Sequence, residues 1–406
     1  MQIQPQNALT AVRRTIFLVS MPFFILGLLL PIYGKQIGAS VVEIGLFFSA
    51  FSLMTVILRP LVGWGVDRFG RRGFFLAGLG GYAVSMTAFA FIDQAMGIVL
   101  ARIFQGISSS LLWISASAIT ADKAGEEERG SAFGKIVQAS SQGSIVGVFL
   151  GFILLNARIS INGQETILGS WMLLFLVYGA ISLYALFLGL HRLPETKPVV
   201  HELDTTRIRW SQPWVLLLLV TLVTGASAAM ISPILIIFLQ ENLDVGVETL
   251  SWAFLPSGLV WAFLPAQLGK LADRFGRKPM MLIGLVSAAI SSFIIPALGS
   301  LVALAILWAF QAACYAAGDP AEQALVSDLT GKNQRGRAYG LYAMFADLGA
   351  TIGPLGGAWL YQTYGSAIPF YANGIILGLC ALVLLIFLRV PAKHQSIPEV
   401  DYGEVI

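Results

Sequence analysis

Charge is scarce in this chain. Of its 406 residues only 12% are Asp, Glu, Lys or Arg, about half the share of an ordinary soluble domain. A soluble fold of this length would not stay dispersed with so few charges. Histidine occurs three times, at His191, His201 and His394, which leaves no imidazole cluster for a metal site. The two cysteines, Cys314 and Cys380, both fall in apolar runs, where a buried small hydrophobe is expected rather than a disulfide. No phosphate-binding loop and no nucleophile motif appears, which excludes an ATP-driven pump within this chain and leaves an enzyme without a catalytic set. The basic residues are scattered through short segments, so nucleic acid is not an expected partner. No metal or cofactor is expected, and no cleavable leader: the first apolar run follows Arg13 and Arg14 but is only the first of many.

What is abundant is apolar sequence, at 57% of residues and a mean hydropathy of +0.78. Twelve runs are long enough to cross a bilayer, which takes about 20 mostly apolar residues. They cover roughly 15–37, 41–66, 73–92, 96–122, 130–155, 168–191, 212–240, 247–272, 278–296, 299–328, 336–361 and 366–388. They do not alternate as barrel strands do, so the fold class is all-α and integral to the membrane. Of the 25 Lys and Arg, Lys35 and Arg158 fall between spans on one side, and Arg59 and Arg102 fall within spans. The other 21 lie on the side that carries both termini. That asymmetry places both termini in the cytoplasm. Residues 192–211, with Pro194, Pro198 and mixed charges, read as a linker between six-span halves at 1–191 and 212–388, with a cytoplasmic tail at 389–406.

The halves resemble each other at one ungapped offset of 206 residues. Gly63, Asp67, Arg68, Phe69, Gly70 and Arg71 recur as Gly269, Asp273, Arg274, Phe275, Gly276 and Arg277. Phe104 and Gln105 recur as Phe310 and Gln311, Asp122 as Asp328, Arg129 as Arg335, and Gly130, Gly143, Gly147 and Gly151 as Gly336, Gly349, Gly353 and Gly357. An even number of spans per copy makes them parallel repeats about an axis along the membrane normal. The stretch from Gly63 to Arg72, repeated from Gly269 to Lys278, resembles the loop signature of the major facilitator superfamily. Arg102-Ile-Phe-Gln105-Gly106 resembles a fourth-span motif of the same superfamily, in its drug–proton antiporter branch.

The resemblance implies a twelve-helix fold of two parallel halves and secondary transport by alternating access. It implies that Asp67 docks on the start of the eleventh span near Gly336, where free amides and the helix dipole favour a negative charge. Arg71 then bridges to Asp122. The second copy offers Asp273, Arg277 and Asp328 against the fifth span near Gly130, and together the two copies latch the cytoplasmic side shut. The alternative is that these charges only solvate a loop and set orientation. Gly143, Gly147 and Gly151, and again Gly349, Gly353 and Gly357, place small residues every four positions on one helical face. That spacing permits close packing or a hinge. Antiporters of the superfamily often carry Gly-Pro on the fifth span. Here Val148 stands at that point, and the pair is Gly353-Pro354 on the eleventh.

Charges inside a membrane are expensive, about 2.5–3.5 kcal/mol each on insertion scales, and so mark function. At about 1.5 Å per residue, Asp319 and Asp347 lie near mid-membrane and Glu322 lies shallower. With no histidine in the spans, a proton carrier must be one of these carboxylates, and a structural hydrogen bond is the alternative for each. Gln311, Tyr315, Asp319 and Glu322 form one stripe of the tenth span, and Arg102, Gln105, Ser109 and Trp113 form the matching stripe of the fourth. With Arg59 and Tyr342 these are the candidates to line a cavity that is acidic on one wall and aromatic or basic on the other. Arg102 is expected either as an outer gate or reaching to the interface. Such a wall suits small, neutral or monocationic amphipathic molecules, exported in exchange for protons by a monomer in the cell (plasma or inner) membrane. The alternative is an uptake symporter or uniporter for a sugar or an organic acid.

Overall fold

A computed structural model describes residues 5–123, 129–156, 160–161, 164–165, 167–194, 210–264, 268, 274–329 and 335–388. Helices dominate: α1 (Pro5–Val19), α2 (Met21–Gln36), α3 (Val41–Phe69), α4 (Arg72–Phe89), α5 (Ala95–Lys123), α6 (Arg129–Asn156) and α7 (Ile167–Arg192) form the first half. The second half holds α8 (Gln212–Leu243), α9 (Val247–Phe263), α10 (Arg277–Ile294), α11 (Leu301–Leu329), α12 (Arg335–Tyr364) and α13 (Ile368–Phe387). A two-residue hairpin, β1 (Ser160–Ile161) and β2 (Gln164–Glu165), lies between α6 and α7.

Over the described residues every expected span falls on a helix, the one expected at 247–272 being described to 264 and at 268, and the first is two helices, α1 and α2, broken at Ser20. Pro22 follows the break, and the ring's missing N–H accounts for a fresh helix start there. Nine spans among the described residues are long and apolar enough to cross a membrane by length and composition. Those on α4, α9 and α12 are not among them: α4 has 18 residues including Arg72, α9 has 17 before the described backbone stops at 264, and α12 carries several charged and small residues.

The repeat is written into the backbone as well. Gly70, closing α3, has φ +100°, and Gly276, its counterpart 206 residues on, has φ +95°. Both sit in the left-handed region that only glycine enters without strain. Gly38 (φ +83°) and Asp244 (φ +50°) form a second such pair, ending α2 and α8. The basic residue after each loop also does the same work in each half. Arg72 donates to the Leu190 carbonyl at the end of α7 (2.8 Å), and Lys278 donates to those of Leu385 and Leu388 at the end of α13 (2.8 Å each). Both cap a helix C-terminus, where a cation meets unpaired carbonyls and the negative dipole end.

The glycine ladders pack inside the halves. A Cβ at Gly143 or Gly147 of α6 would collide with the carbonyl oxygens of Phe17 or Met21, and one at Gly151 would meet Ile25 and Tyr178. In the second half the Gly349, Gly353 and Gly357 positions of α12 abut the carbonyls of Leu222, Ala226 and Met230 on α8. Each ladder thus fuses two helices of one half at backbone contact. Buried polar groups add to this: Tyr178 on α7 donates to the Gly147 carbonyl (2.6 Å), and Asn373 on α13 bonds Ser227 on α8 and Ser292 on α10 (2.7 Å for the latter).

Between the halves the contacts are unequal on the two sides. One apolar core joins Ile25, Leu29, Phe47 and Ala50 of the first half to Ile234, Phe238, Leu250 and Trp308 of the second. It lies toward the side bearing Lys35. On the side bearing the Gly63–Arg72 loop, the motif side, two cores stay separate: one around Val12, Phe75, Leu112 and Ile136, the other around Trp214, Met280, Leu325 and Ala338. The halves meet chiefly through α3 against α12, with α2 against α8 beside it. A Cβ at Gly45 of α3 would strike Ala358 and the Pro354 carbonyl of α12, 2.8 and 2.7 Å away.

The ladders predict a sharp split among glycine substitutions. Gly147→Ala and Gly353→Ala force backbone apart and should lower stability by about 1–3 kcal/mol. Gly356→Ala, on α12 with open space around it, should be neutral or raise stability by up to about 1 kcal/mol through helix propensity. Apparent melting temperatures of the purified protein in one detergent check the ordering.

Candidate functional site between the halves

The motif-side loop forms a compact charge cluster. Arg71, at the start of α4, is only 6% exposed. It donates from Nε to the Asp122 carboxylate of α5 (2.8 Å), from Nη1 to the Val66 carbonyl (3.1 Å), and lies 3.4 Å from Asp67. Asp67 itself is 75% exposed, pointing off the end of α3. Arg68 lies over the rings of Trp64 and Phe69 (5.3 and 5.7 Å), and its repeat, Arg274, over Phe275 (5.5 Å). A side chain at Gly63 would meet nothing within 4 Å. Gly269, Asp273 and the side chain of Asp328 lie outside the described residues. At Gly130 and Gly336, where docking of the two loop aspartates is expected, only the helical backbone is described. Arg277 opens α10.

The first-half stripe is mostly interior. Arg102 is 7% exposed, held by groups of its own half. Its Nε donates to the Phe47 carbonyl of α3 (3.0 Å), its Nη1 to Gln105 Oε1 (2.6 Å), and it lies over the Phe51 ring at 4.4 Å and that of Phe48 at 5.4 Å. The cation replaces its water with a carbonyl, an amide and two ring faces, at a contact between α3 and α5. Gln105 and Ser109 are buried with it. Trp113 is half-buried beside Phe23 of α2 and Tyr82 of α4, with ring centroids of Phe23 at 6.1 Å from Trp113 and 5.4 Å from Tyr82.

The second half carries the carboxylates. Glu322 of α11 accepts from the Tyr342 hydroxyl of α12 (2.9 Å) and from the Thr221 hydroxyl of α8 (3.3 Å). Three helices converge there. Asp319, one turn before, accepts from Gln323 (2.9 Å), and Tyr315 and Gln311 continue the stripe half-buried. Asp347 of α12 pairs with Arg59 of α3 in the other half. Sequence reasoning set these two residues apart, one among proton carriers and one among cavity residues. The structure brings them together.

Several partners were not anticipated. Thr221, Tyr82 and Phe23 are common residue types in apolar helices and carry no pattern of their own. A second ion pair across the halves was within reach: Lys35 at the end of α2 meets Glu241 at the end of α8 (2.6 Å), and Tyr361 also donates to Glu241 (2.6 Å). Lys35 and Glu241 are 206 residues apart, so the repeat offset itself placed opposite charges at equivalent positions.

The profile of the Major Facilitator Superfamily matches residues 15–218 and again residues 217–404. Among curated relatives, the multi-drug resistance efflux pump PmrA of Streptococcus pneumoniae is 24% identical over 387 residues, covering 91% of this chain and 92% of the relative. The multidrug resistance protein MdtG of Klebsiella pneumoniae is 25% identical over 403 residues, covering 94% of each. YhjO of Bacillus subtilis, described as an uncharacterised transporter of this type, is 25% identical over 371 residues, covering 90% of this chain and 89% of the relative. Among solved structures, a bacterial homologue of the human lysosomal transporter Spinster, in an inward-facing and unoccupied conformation, superposes with a TM-score of 0.77 at 13% identity. It covers 96% of this chain and 98% of its own. The human organic anion transporter MFSD10 superposes at 0.64 with 20% identity, covering 94% and 100%.

Burial ranks the partners of Arg71. Asp122, 14% exposed, compensates a buried guanidinium, so Asp122→Ala should destabilise the fold by about 3 kcal/mol or more. Asp67→Ala removes an exposed, longer contact and should change stability by less than about 1 kcal/mol. Thermal unfolding of the two variants side by side checks this.

Proposed function

The chain belongs to the major facilitator superfamily, and from that premise we propose that it is a secondary active exporter of small amphipathic molecules, driven by proton exchange. It is a multi-pass membrane protein and a transporter of that superfamily. The observation that carries the finer reading is the unlikeness of the matching stripes of the two halves. The second half carries Asp319, Glu322, Tyr315 and Tyr342, and the first carries the half-buried Phe23 and Trp113 rings beside the buried Tyr82. Aromatic surface receives an apolar body, and a carboxylate opposite favours a neutral or cationic head. The relatives named as multidrug pumps support the same substrate class.

With the lysine- and arginine-rich motif side in the cytoplasm, the separate cores there and the shared core opposite correspond to a carrier open to the cell interior. That is the loading state of an exporter. Proton return then falls to the membrane carboxylates Asp319, Glu322 and Asp347. The doubled loop serves the opposite state: exposed Asp67, and by the repeat Asp273, are free to meet the starts of α12 and α6 when the motif side closes. The working unit is a monomer in the cell membrane with both termini in the cytoplasm.

Everted membrane vesicles with an imposed pH gradient test this. A fluorescent lipophilic cation should accumulate in vesicles holding the protein and leave when the gradient collapses. Glu322→Gln and Asp319→Asn should each slow cation uptake about tenfold, equivalent to about 1.4 kcal/mol, and slow a neutral amphipathic probe less. Stereoselective, saturable uptake of one sugar or organic acid, with no response to lipophilic cations, would overturn the reading.

A further inference from the structure

Two ion pairs among the described residues join the halves, and they sit at different depths. Lys35–Glu241 lies at helix ends with both side chains about half exposed. Arg59–Asp347 lies inside the membrane: Arg59 is ten residues from the end of α3 and Asp347 twelve from the start of α12, roughly 15 and 18 Å by helical rise. It joins the two helices through which the halves chiefly meet. The side chains are 39% and 30% exposed.

Among the described residues no other charge competes for Asp347. Helix α8 packs against this stretch of α12 through Leu222, Gly225 and Ala226, and it carries no charged residue from 213 to 240. Helix α13 carries none from 368 to 387. From α11, Glu322 is held by Tyr342 and Thr221, and Asp319 by Gln323. From α3 only Arg59 faces it, the other charges of that helix being Glu43, Asp67 and Arg68 at its ends. On α12 itself, Thr351 bonds the Asp347 carbonyl, not the carboxylate.

We propose that Asp347 exchanges Arg59 for a proton, and that this exchange unties α3 from α12 and releases the halves to reorient. The step is one proton transfer: hydronium gives its proton to a carboxylate oxygen and leaves as water, and the guanidinium, 39% exposed, stays charged as it lets go. With Asp347 ionised and no cargo bound, the tie holds the present arrangement, so the empty carrier does not turn over. A proton or a cargo molecule must displace the arginine first, which is what an exchanger requires. Arg59 is thus a positioning residue for coupling. The inference rests on the proton-exchange reading above.

The test reads conformation without any substrate. Full-length protein in nanodiscs, with Cys314 and Cys380 replaced by Ser, is spin-labelled through Leu190→Cys and Leu385→Cys at exposed motif-side positions of α7 and α13. Inter-label distances are then measured across a pH series. Acidification should shift the starting protein from its long-distance population to a shorter one in a single step. Asp347→Asn should lose that step and stay short, Arg59→Gln should do the same, and the double variant should go no further than either alone. Arg59→Glu combined with Asp347→Arg should regain the long-distance population at alkaline pH, which a misfolded protein cannot do. A step of unchanged midpoint in Asp347→Asn, wild-type distances in Arg59→Gln, or no recovery in the reversed pair would overturn the proposal. If the step follows Asp347 but no lipophilic cation is pumped, the exporter reading fails alone. If cations are pumped against protons while the step ignores Asp347, this inference fails alone.

Discussion

Backbone-to-backbone contact within each half is the constraint on which the rest of this structure depends. In lipid, helices gain nothing from the hydrophobic effect by associating, so packing has to come from close approach. The α6 and α12 glycines supply it, meeting the carbonyls of α1–α2 and of α8 where a methyl group would not fit. Each half is thereby a stiff unit. Two stiff units can share a large core on one side only if they part on the other, and that is the observed division of apolar clusters.

The polar groups follow the same division. Inside the first half, Arg102 has no carboxylate and is satisfied by a carbonyl, an amide and two rings. Inside the second, Glu322 meets no cation among the described residues and is satisfied by two hydroxyls. Full charge pairing across the boundary is confined, among the described residues, to Lys35–Glu241 and Arg59–Asp347. Those are the contacts that a reorientation has to break or remake, and only the second lies at a depth where ionisation is expensive.

Symmetry explains where the repeat helps and where it misleads. The offset carries over what depends on the local chain: the positive-φ glycines at 70 and 276, the capping Arg72 and Lys278, and the two ladders. It does not carry over chemistry. Trp113 stands opposite Asp319, Ala116 opposite Glu322 and Ser141 opposite Asp347, so two halves of one shape present unlike walls.

Composition and spacing determined a good deal without any coordinates. The apolar runs require helices, because a backbone in lipid has to satisfy its own hydrogen bonds. The 206-residue offset requires two parallel halves, and a bend before Arg71 and another before Arg277 follow from glycine at both places. Those are properties of one segment or of its register, and register survives in a linear string. Only the tertiary structure decided which stripes face a neighbour in the same half and which face the other half. The string ranks Arg102 and Arg59 alike as membrane arginines. Packing buries the first between α3 and α5 and sets the second against Asp347, 288 residues away. The face that α5 turns to α3, and the face that α3 turns to α12, make that difference. Both are set by the summed contacts of α3 with α5 and α12, and no short stretch of sequence records that sum.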